Sequence, residues 1–476
     1  MDCSGTREGG IVTKRLRIGL LLLAAAALAL TAAGCGGGSK KSSSGGGGGK
    51  GVTALPASSC SPVQYKGSGK ADYLIASDLP LIGGSRQQTT QMNQAIAYVL
   101  DQQGWKAGKY KIAFQACNDA SAQLAKWDPT KCSANAHAYA GDSSLVGVIG
   151  TFNSGCAAII IPVLNKAPGG GLQMISPANT YGCLTEPCAG NEPEKYYPSG
   201  KRTYARVAPS DPNQGAVQAK FMQQQGVKSL YILNDKEAYG LGVAKNTEGA
   251  AKALGIKILG FSAFDPKSSN FQALFTRIKN TNPDAVFIGG LIDENSGQLI
   301  NDKVSVLGPN TNKPASAGGG VMLFLPDGYT TPAIFQRSQG GTPNAKGAYF
   351  SVAGVGLDKY KGAALTFIDG FKKTLNGAAL NPYAILAAQA AQVMLSAISK
   401  SDGSRSSVIS EVYKTKVTNG LIGSFTFNKN GDLSGATGAS VLYTIYIGKG
   451  NNLVTFVNGV GPVPSLTQAA RKEAAG

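Results

Sequence analysis

Residues 145–165 read LVGVIGTFNSGCAAIIIPVLN, and their pattern sets the fold class. Leu145–Gly150 is a short apolar run of the kind that fills a strand buried on both faces. Thr151-Phe152-Asn153-Ser154-Gly155-Cys156-Ala157 follows as a small polar turn, and it opens a helix over Ala158–Asn165. A buried strand, a polar turn and an apolar helix in succession form the βα unit from which parallel sheets are built.

The same alternation extends in both directions. Further strands are expected at Tyr73–Ser77, Tyr110–Ala116, Gln173–Ile175, Ser229–Leu233, Lys257–Phe261, Ala285–Ile288 and Val321–Leu325. Helices are expected at Gln88–Gln103, Cys132–Ala140 and Pro212–Gln225. The last has end signals: Asp211 as a cap, Pro212 in the first turn and Gly226 just past the end. The alternation runs for about 400 residues, more than one doubly wound sheet holds, so the chain reads as α/β with two parallel-sheet lobes.

In open parallel sheets ligands bind beyond the C-terminal strand ends, where helix N-termini offer free N–H groups and partial positive charge. Three post-strand segments are unusual there: Thr151–Ala157, then Ser176-Pro177-Ala178-Asn179-Thr180-Tyr181, then Asn234-Asp235-Lys236-Glu237-Ala238-Tyr239-Gly240. Taken singly, each also fits an ordinary turn or cap.

Composition bounds the chemistry. The 476 residues are 43% hydrophobic, enough to build full cores, and they contain a single histidine, His137, so a His-rich zinc site or an imidazole base has almost no material. No G-x-S-x-G elbow, complete P-loop or HExxH occurs, and the chain reads as a non-enzyme with no cofactor and no metal. Carboxylate-pair hydrolysis leaves no fixed spacing by which to exclude it. The net charge of +18 admits nucleic acid or anionic membrane as partners. Nucleic acid is rejected, because the N-terminus directs export and no dense basic helix appears.

That N-terminus has Lys14, Arg15 and Arg17 before an apolar run from Ile18 to Ala33, which is too short to span a bilayer. It ends in Ala33-Gly34-Cys35, resembling the lipobox of bacterial lipoproteins, in which the Cys becomes the lipidated first residue; an ordinary signal peptide or an uncleaved anchor is the alternative. Residues 1–35 are thus expected to be a lipoprotein signal with Cys35 as the lipidation site. Residues 36–68 are expected to be a flexible Gly/Ser tether, free to about Ser59, and a lead-in to the fold. Residues 1–35 hold four basic and two acidic side chains, so the remainder still carries +16, a charge suited to anionic lipid or an acidic permease face. Beyond Cys3 and Cys35 lie Cys60, Cys117, Cys132, Cys156, Cys183 and Cys188; an even set in an exported chain indicates disulfides, and Cys183 with Cys188 can close a local loop.

Order and spacing join these segments. VIGTFNSGCA (148–157), MISPANT (174–180), ILNDKEAYGLG (232–242), VFIGG (286–290) and LPDG (325–328) together resemble the leucine/isoleucine/valine-binding branch of type I periplasmic binding proteins, solute receptors of ABC importers. The resemblance spans about Tyr73 to Phe456. It implies two lobes joined by three crossing segments and a hinge that closes an interlobe cleft on a solute, with a membrane permease reading the closed form. It implies lobe 1 at 69–206 plus 353–436, lobe 2 at 207–352 plus 437–465, and a tail at 466–476. It further implies that the turn at Ser154, Gly155 and Ala157 receives the solute carboxylate. In the family a Ser commonly follows the Cys of this turn; here it is Ala157, so Ser154 or the backbone substitutes. Thr180 adds a hydroxyl to the carboxylate, and the Ala178–Asn179 backbone accepts from the ammonium. Tyr239 packs over the solute and Asp327 pairs its ammonium. A second family Tyr is Leu291 or Ile292 here. Cys132 pairs with Cys156, leaving Cys60 with Cys117. The implied protein is a monomer lipid-anchored at the outer face of the cytoplasmic membrane, binding an amino-acid-like solute. A sensory receptor of the same fold and a binder of small amides are the alternatives.

Overall fold

The computed structural model describes residues 51–476. The expected export signal, the expected lipidation site Cys35 and the Gly/Ser stretch as far as residue 50 lie outside the described residues. In chain order the first elements are β1 (Tyr73–Leu79), α1 (Arg86–Gln102), β2 (Lys106–Ala107), β3 (Tyr110–Asn118), the hairpin β4 (Ala120–Ser121) and β5 (Lys126–Trp127), α2 (Pro129–Gly141), β6 (Leu145–Gly150), α3 (Ser154–Asn165), β7 (Gln173–Ser176) and β8 (Tyr204–Arg206). They build a six-stranded sheet in the order β2-β3-β1-β6-β7-β8, parallel except for the short edge strand β2. Side chains alternate across it, as the two-residue period of a strand requires. Leu74 and Ala76 of β1 join the core beneath α2 and α3, while Ile75 and Leu79 join the core beneath α1.

The second series is α4 (Asp211–Gln224), β9 (Ser229–Asn234), α5 (Ala238–Ala253), β10 (Lys257–Ala263), α6 (Gln272–Lys279), β11 (Ala285–Gly289), α7 (Ser296–Leu307), β12 (Met322–Leu325) and β13 (Tyr349–Ala353). The chain then returns to the first sheet with α8 (Gly362–Lys372), α9 (Pro382–Lys400) and α10 (Arg405–Tyr413), of which α9 lies against α1, β6 and β7. A small sheet of β14 (Lys416–Gly420), β15 (Gly423–Phe427) and β16 (Leu433–Ser434) follows, and then β17 (Tyr443–Lys449), β18 (Asn452–Val460) and α11 (Pro464–Ala475). The second main sheet runs β10-β9-β11-β12-β13-β17-β18, parallel as far as β13 and closed by the antiparallel pair β17 and β18. The chain therefore crosses between the sheets three times, after β8, after β13 and before β17. Two crossings are tied together where Gly354 N donates to Leu442 O at 2.7 Å. Helix α9 has the length and apolarity to cross a membrane, but it is buried on almost every face, as a core helix must be.

The eight strands and four helices read from sequence are all present, with ends shifted by a few residues. The structure also corrects several expectations. The tether is not free as far as Ser59: Leu55 is buried with its N–H on Gln115 Oε1 at 2.8 Å, Thr53 N reaches Ser144 Oγ, and residue 64 pairs with Phe114 in a β-bridge. Cys60–Cys117 fastens this lead-in to β3, and Cys132–Cys156 and Cys183–Cys188 are the other disulfides. The segment 466–476 is helical almost to its end. Helix α11 docks on α5 so closely that a Cβ on Gly249 would lie 2.6 Å from Ala469 O, and Lys252 pairs with Glu473. Asp211 is the first residue of α4, with Ser210 at the cap position, and it makes no capping bond. His137 is exposed on α2.

Candidate functional site

Strand β6 is buried along its whole length and delivers Thr151–Asn153 to the start of α3. Ala157 is the first residue of α3 whose N–H reaches back in the helical pattern, to Asn153 O at 3.2 Å. Ser154, Gly155 and Cys156 therefore present the orphan N–H groups of the first turn. The Ala157 amide, expected to bind, is spent inside the helix. Gly155 is required because the Trp127 indole lies on this turn, where a Cβ would fall 2.6 Å from the ring. The indole is fixed in turn by Nε1 donating to Glu237 Oε2 at 3.0 Å.

The loop after β7 is built from inside. Ser176 Oγ accepts from Ala178 N and Asn179 N at 3.1 and 2.8 Å, and donates to Thr151 O. Arg206, fully buried and paired with Asp432 at 2.6 Å, donates to the carbonyls of Asn179 and Tyr181 and to Thr185 Oγ1. The Asn179 carbonyl, expected to accept from an ammonium, is thus held by Arg206. Thr180 is left with a buried hydroxyl that has no protein partner, while its carbonyl accepts from Asp211 N at 2.7 Å.

From the second sheet, Asp327 sits in the turn after β12. Tyr239, at the start of α5, donates to Asp327 Oδ1 at 2.6 Å and accepts from Gly328 N, and Tyr383 of α9 donates to Asp327 Oδ2. Tyr239 and Asp327, singled out from sequence, are therefore bonded to each other. Asp211 was singled out only as a helix cap, yet both its carboxylate oxygens are buried without a protein partner. Burial, reinforced by the charge of Asp327, pushes its carboxyl well above the usual range. Asp327 is raised too, by burial, but its Tyr and Gln214 partners pull against the shift. The Tyr443 hydroxyl, also buried and unpartnered, feels both carboxylates. Asp211, Tyr383 and Tyr443 come from three segments distant in sequence, and the one signal that could have marked Asp211 is an acid placed directly after a strand and a four-residue crossing.

Buried polar groups without partners are rare and costly, so a cluster of them marks where a polar molecule is received. Here acceptors and donors are segregated. Asp211 and Asp327 supply carboxyl groups that a cation would ionise, whereas Thr180, Tyr443 and the first turn of α3 supply donors. Such a set suits a molecule with an ammonium beside a carboxylate.

Closer to solvent the parts built on the two sheets are fastened. Lys126 Nζ meets Glu237 Oε1 at 2.9 Å and also Glu294, while Asp293 accepts from Gly84 N and, at 2.7 Å, from Ser85 Oγ. These contacts border a crevice of about 690 Å³ lined by Gly84, Arg86, Ile292, Asp293 and Arg337. Of the two residues at the second family Tyr position, Ile292 lines this crevice and Leu291 packs beside Gly328. Burial raises Asp235 and Glu294 to about 8 and Asp293 to about 6.

A family model described as periplasmic binding protein matches residues 92–440. The Leu/Ile/Val-binding protein homolog 2 of Brucella abortus (strain 2308) is 28% identical over 244 residues, which cover 51% of this chain; the chain spans 60% of the length of that relative. Among solved structures, a leucine binding protein LivK from Thermotoga maritima superposes with a TM-score of 0.66 at 20% identity, covering 81% of this chain and 98% of that one. A branched-chain amino acid transporter substrate binding protein LivJ from Streptococcus pneumoniae, in complex with isoleucine, gives 0.65 at 18% identity, covering 82% and 99%.

Proposed function

The chain belongs to the periplasmic binding protein family, and from that premise we propose that it is the extracytoplasmic solute receptor of an ABC importer, capturing a small amino acid by hinge closure and delivering it to a membrane permease. The observation that carries this reading is the segregated polar cluster. Asp211 and Asp327 take the ammonium, Thr180, Ser154, Gly155 and the N-terminal turn of α3 take the carboxylate, and Ala178 and Tyr239 wall the site. The cluster draws on both sheets, so the solute stabilises the closed arrangement over any arrangement that separates them. In this reading lobe 1 comprises 69–206 and 353–436 and lobe 2 comprises 207–352 and 437–465, with α11 docked on lobe 2. Cys35 holds a lipid anchor at the outer face of the cytoplasmic membrane, and the protein acts as a monomer that performs no chemistry on its solute.

Branched-chain amino acids are the first candidates, since relatives are named for leucine, isoleucine and valine and Leu291 puts apolar surface beside Tyr239. A thermal-shift screen of the chain against amino acids, small amides and polyamines tests this. A true solute at a hundred times its Kd raises stability by about 2.7 kcal/mol. A flat response to every amino acid overturns the assignment.

A further inference from the structure

A cavity of about 240 Å³ lies at the start of α9, lined by Gln88, Pro332, Leu380, Pro382, Tyr446 and Leu453 among others. Gln88, Leu380 and Pro382 belong to the part built on the first sheet, and Pro332, Tyr446 and Leu453 to the part built on the second. No Lys, Arg, Asp or Glu lines it. The amides of Gln87 and Asn452 at its rim are exposed, and the buried amides are nearly all consumed in pinning the loop before α9 to α1. Gln91 Nε2 donates to Ala379 O at 2.7 Å and Gln91 Oε1 accepts from Asn381 N at 2.8 Å. Asn381 Nδ2 donates to Gln88 Oε1 at 3.1 Å, and Asn381 Oδ1 caps α9 on Tyr383 N. One group is left over: Gln88 Nε2, on a side chain only 1% exposed, has no acceptor. A buried amide donor without a partner is costly, and an acceptor oxygen placed beside it would recover that cost.

We propose that this cavity is a second ligand site, taking a small uncharged molecule with an apolar body and a single carbonyl-type oxygen that accepts from Gln88 Nε2. The volume equals that of about eight liquid waters, room for a small ring and its carbonyl but not for a second zwitterion. An ion is disfavoured by walls without charge. Because the occupant touches both halves, it favours their closed arrangement, and by linkage it must tighten solute binding by the factor by which solute tightens its own. This coupling rests on the hinge-closure reading above; occupancy of the cavity does not.

The test uses N-methylpyrrolidone as the probe and leucine as the solute, on the full chain and on Gln88→Met and Leu380→Trp. Probe binding is read by saturation-transfer NMR and leucine affinity by calorimetry. The expected result is millimolar binding of the probe to the parent, weakened about tenfold by Gln88→Met for the lost hydrogen bond and abolished by Leu380→Trp, which fills the space. Saturating probe should tighten leucine binding about fivefold in the parent and leave it unchanged in Leu380→Trp. No probe binding to the parent, or equal binding to both variants, overturns the site. Probe binding with an unaltered leucine Kd overturns the coupling. Failure of leucine to bind at all strikes the receptor reading alone, because the NMR signal of the probe still decides the cavity.

Discussion

Replacing Asp211 with Asn and Asp327 with Asn should move stability in opposite directions while weakening solute binding in both cases. Asp211 is fully buried with neither oxygen partnered, and its carboxyl is raised well above the usual range by burial and by Asp327. Its folded pKa lies above its unfolded one, so the stability it permits is present below the unfolded pKa, near 4, and is lost as pH rises toward the folded value. Burying a carboxyl whose ionisation is opposed both by burial and by Asp327 costs the solute-free protein stability. Asn removes the ionisable group, and Asp211→Asn should raise the midpoint of denaturant unfolding by the equivalent of about 1–3 kcal/mol. Asp327 holds hydrogen bonds from Tyr239 and Tyr383, so Asp327→Asn breaks a satisfied network and should destabilise by about 1–3 kcal/mol. With leucine as the solute each variant leaves a buried ammonium short of a charge, and calorimetry should show affinity down by about 2–5 kcal/mol, on the order of 30- to 5,000-fold in Kd. An Asp211→Asn protein that binds leucine as the parent does, or that unfolds more easily, would refute the reasoning.

Other outcomes follow from the same geometry. Arg206→Ala strands Asp432 and releases the carbonyls of the Thr180 loop, so unfolding midpoints should fall by about 3–5 kcal/mol, and Arg206→Lys should not rescue, since one ammonium cannot reach what the guanidinium reaches. Asp235, raised to about 8 by burial and by the charge of Glu237, holds the folded state best when protonated. Stability should therefore decline from about pH 4 toward pH 8, and Asp235→Asn should flatten that decline in pH-dependent urea titrations. Lys126→Met leaves Glu237 and Glu294 facing each other across the closed rim, which should weaken leucine binding about tenfold at low salt and lower the pH at which it is lost. Gly155→Ala should displace the Trp127 indole, detected as a shift in tryptophan emission together with reduced solute affinity.

The βα alternation was legible because a strand buried on both faces and an amphipathic helix each leave a periodic trace in consecutive residues. Beyond Leu325 the trace weakened. Strands β13, β17 and β18 were not marked: β13 follows a long irregular segment after β12, and the β17–β18 hairpin joins the sheet antiparallel only after the chain has visited the other sheet. The lead-in at 51–68 looks like linker by composition, yet one disulfide and one buried leucine are enough to fix it to β3. Tyr239 and Asp327 could be marked because the family resemblance implies an aromatic and an acid at those positions, in segments that follow strands.

By itself the sequence determined the repeating unit and the strand ends beyond which a ligand site is expected, since both depend on neighbours in the chain. Only the tertiary structure decided which polar groups are left without partners. Whether a carboxylate is a cap, a satisfied core group or a ligand anchor depends on what other segments bring to it. Asp211 changes from a helix cap to a buried carboxyl without a charged partner because Thr180, Tyr443 and Asp327, from a loop, a strand and a turn far away in the chain, converge around it, and the Thr180 hydroxyl beside it offsets only part of the cost of burial.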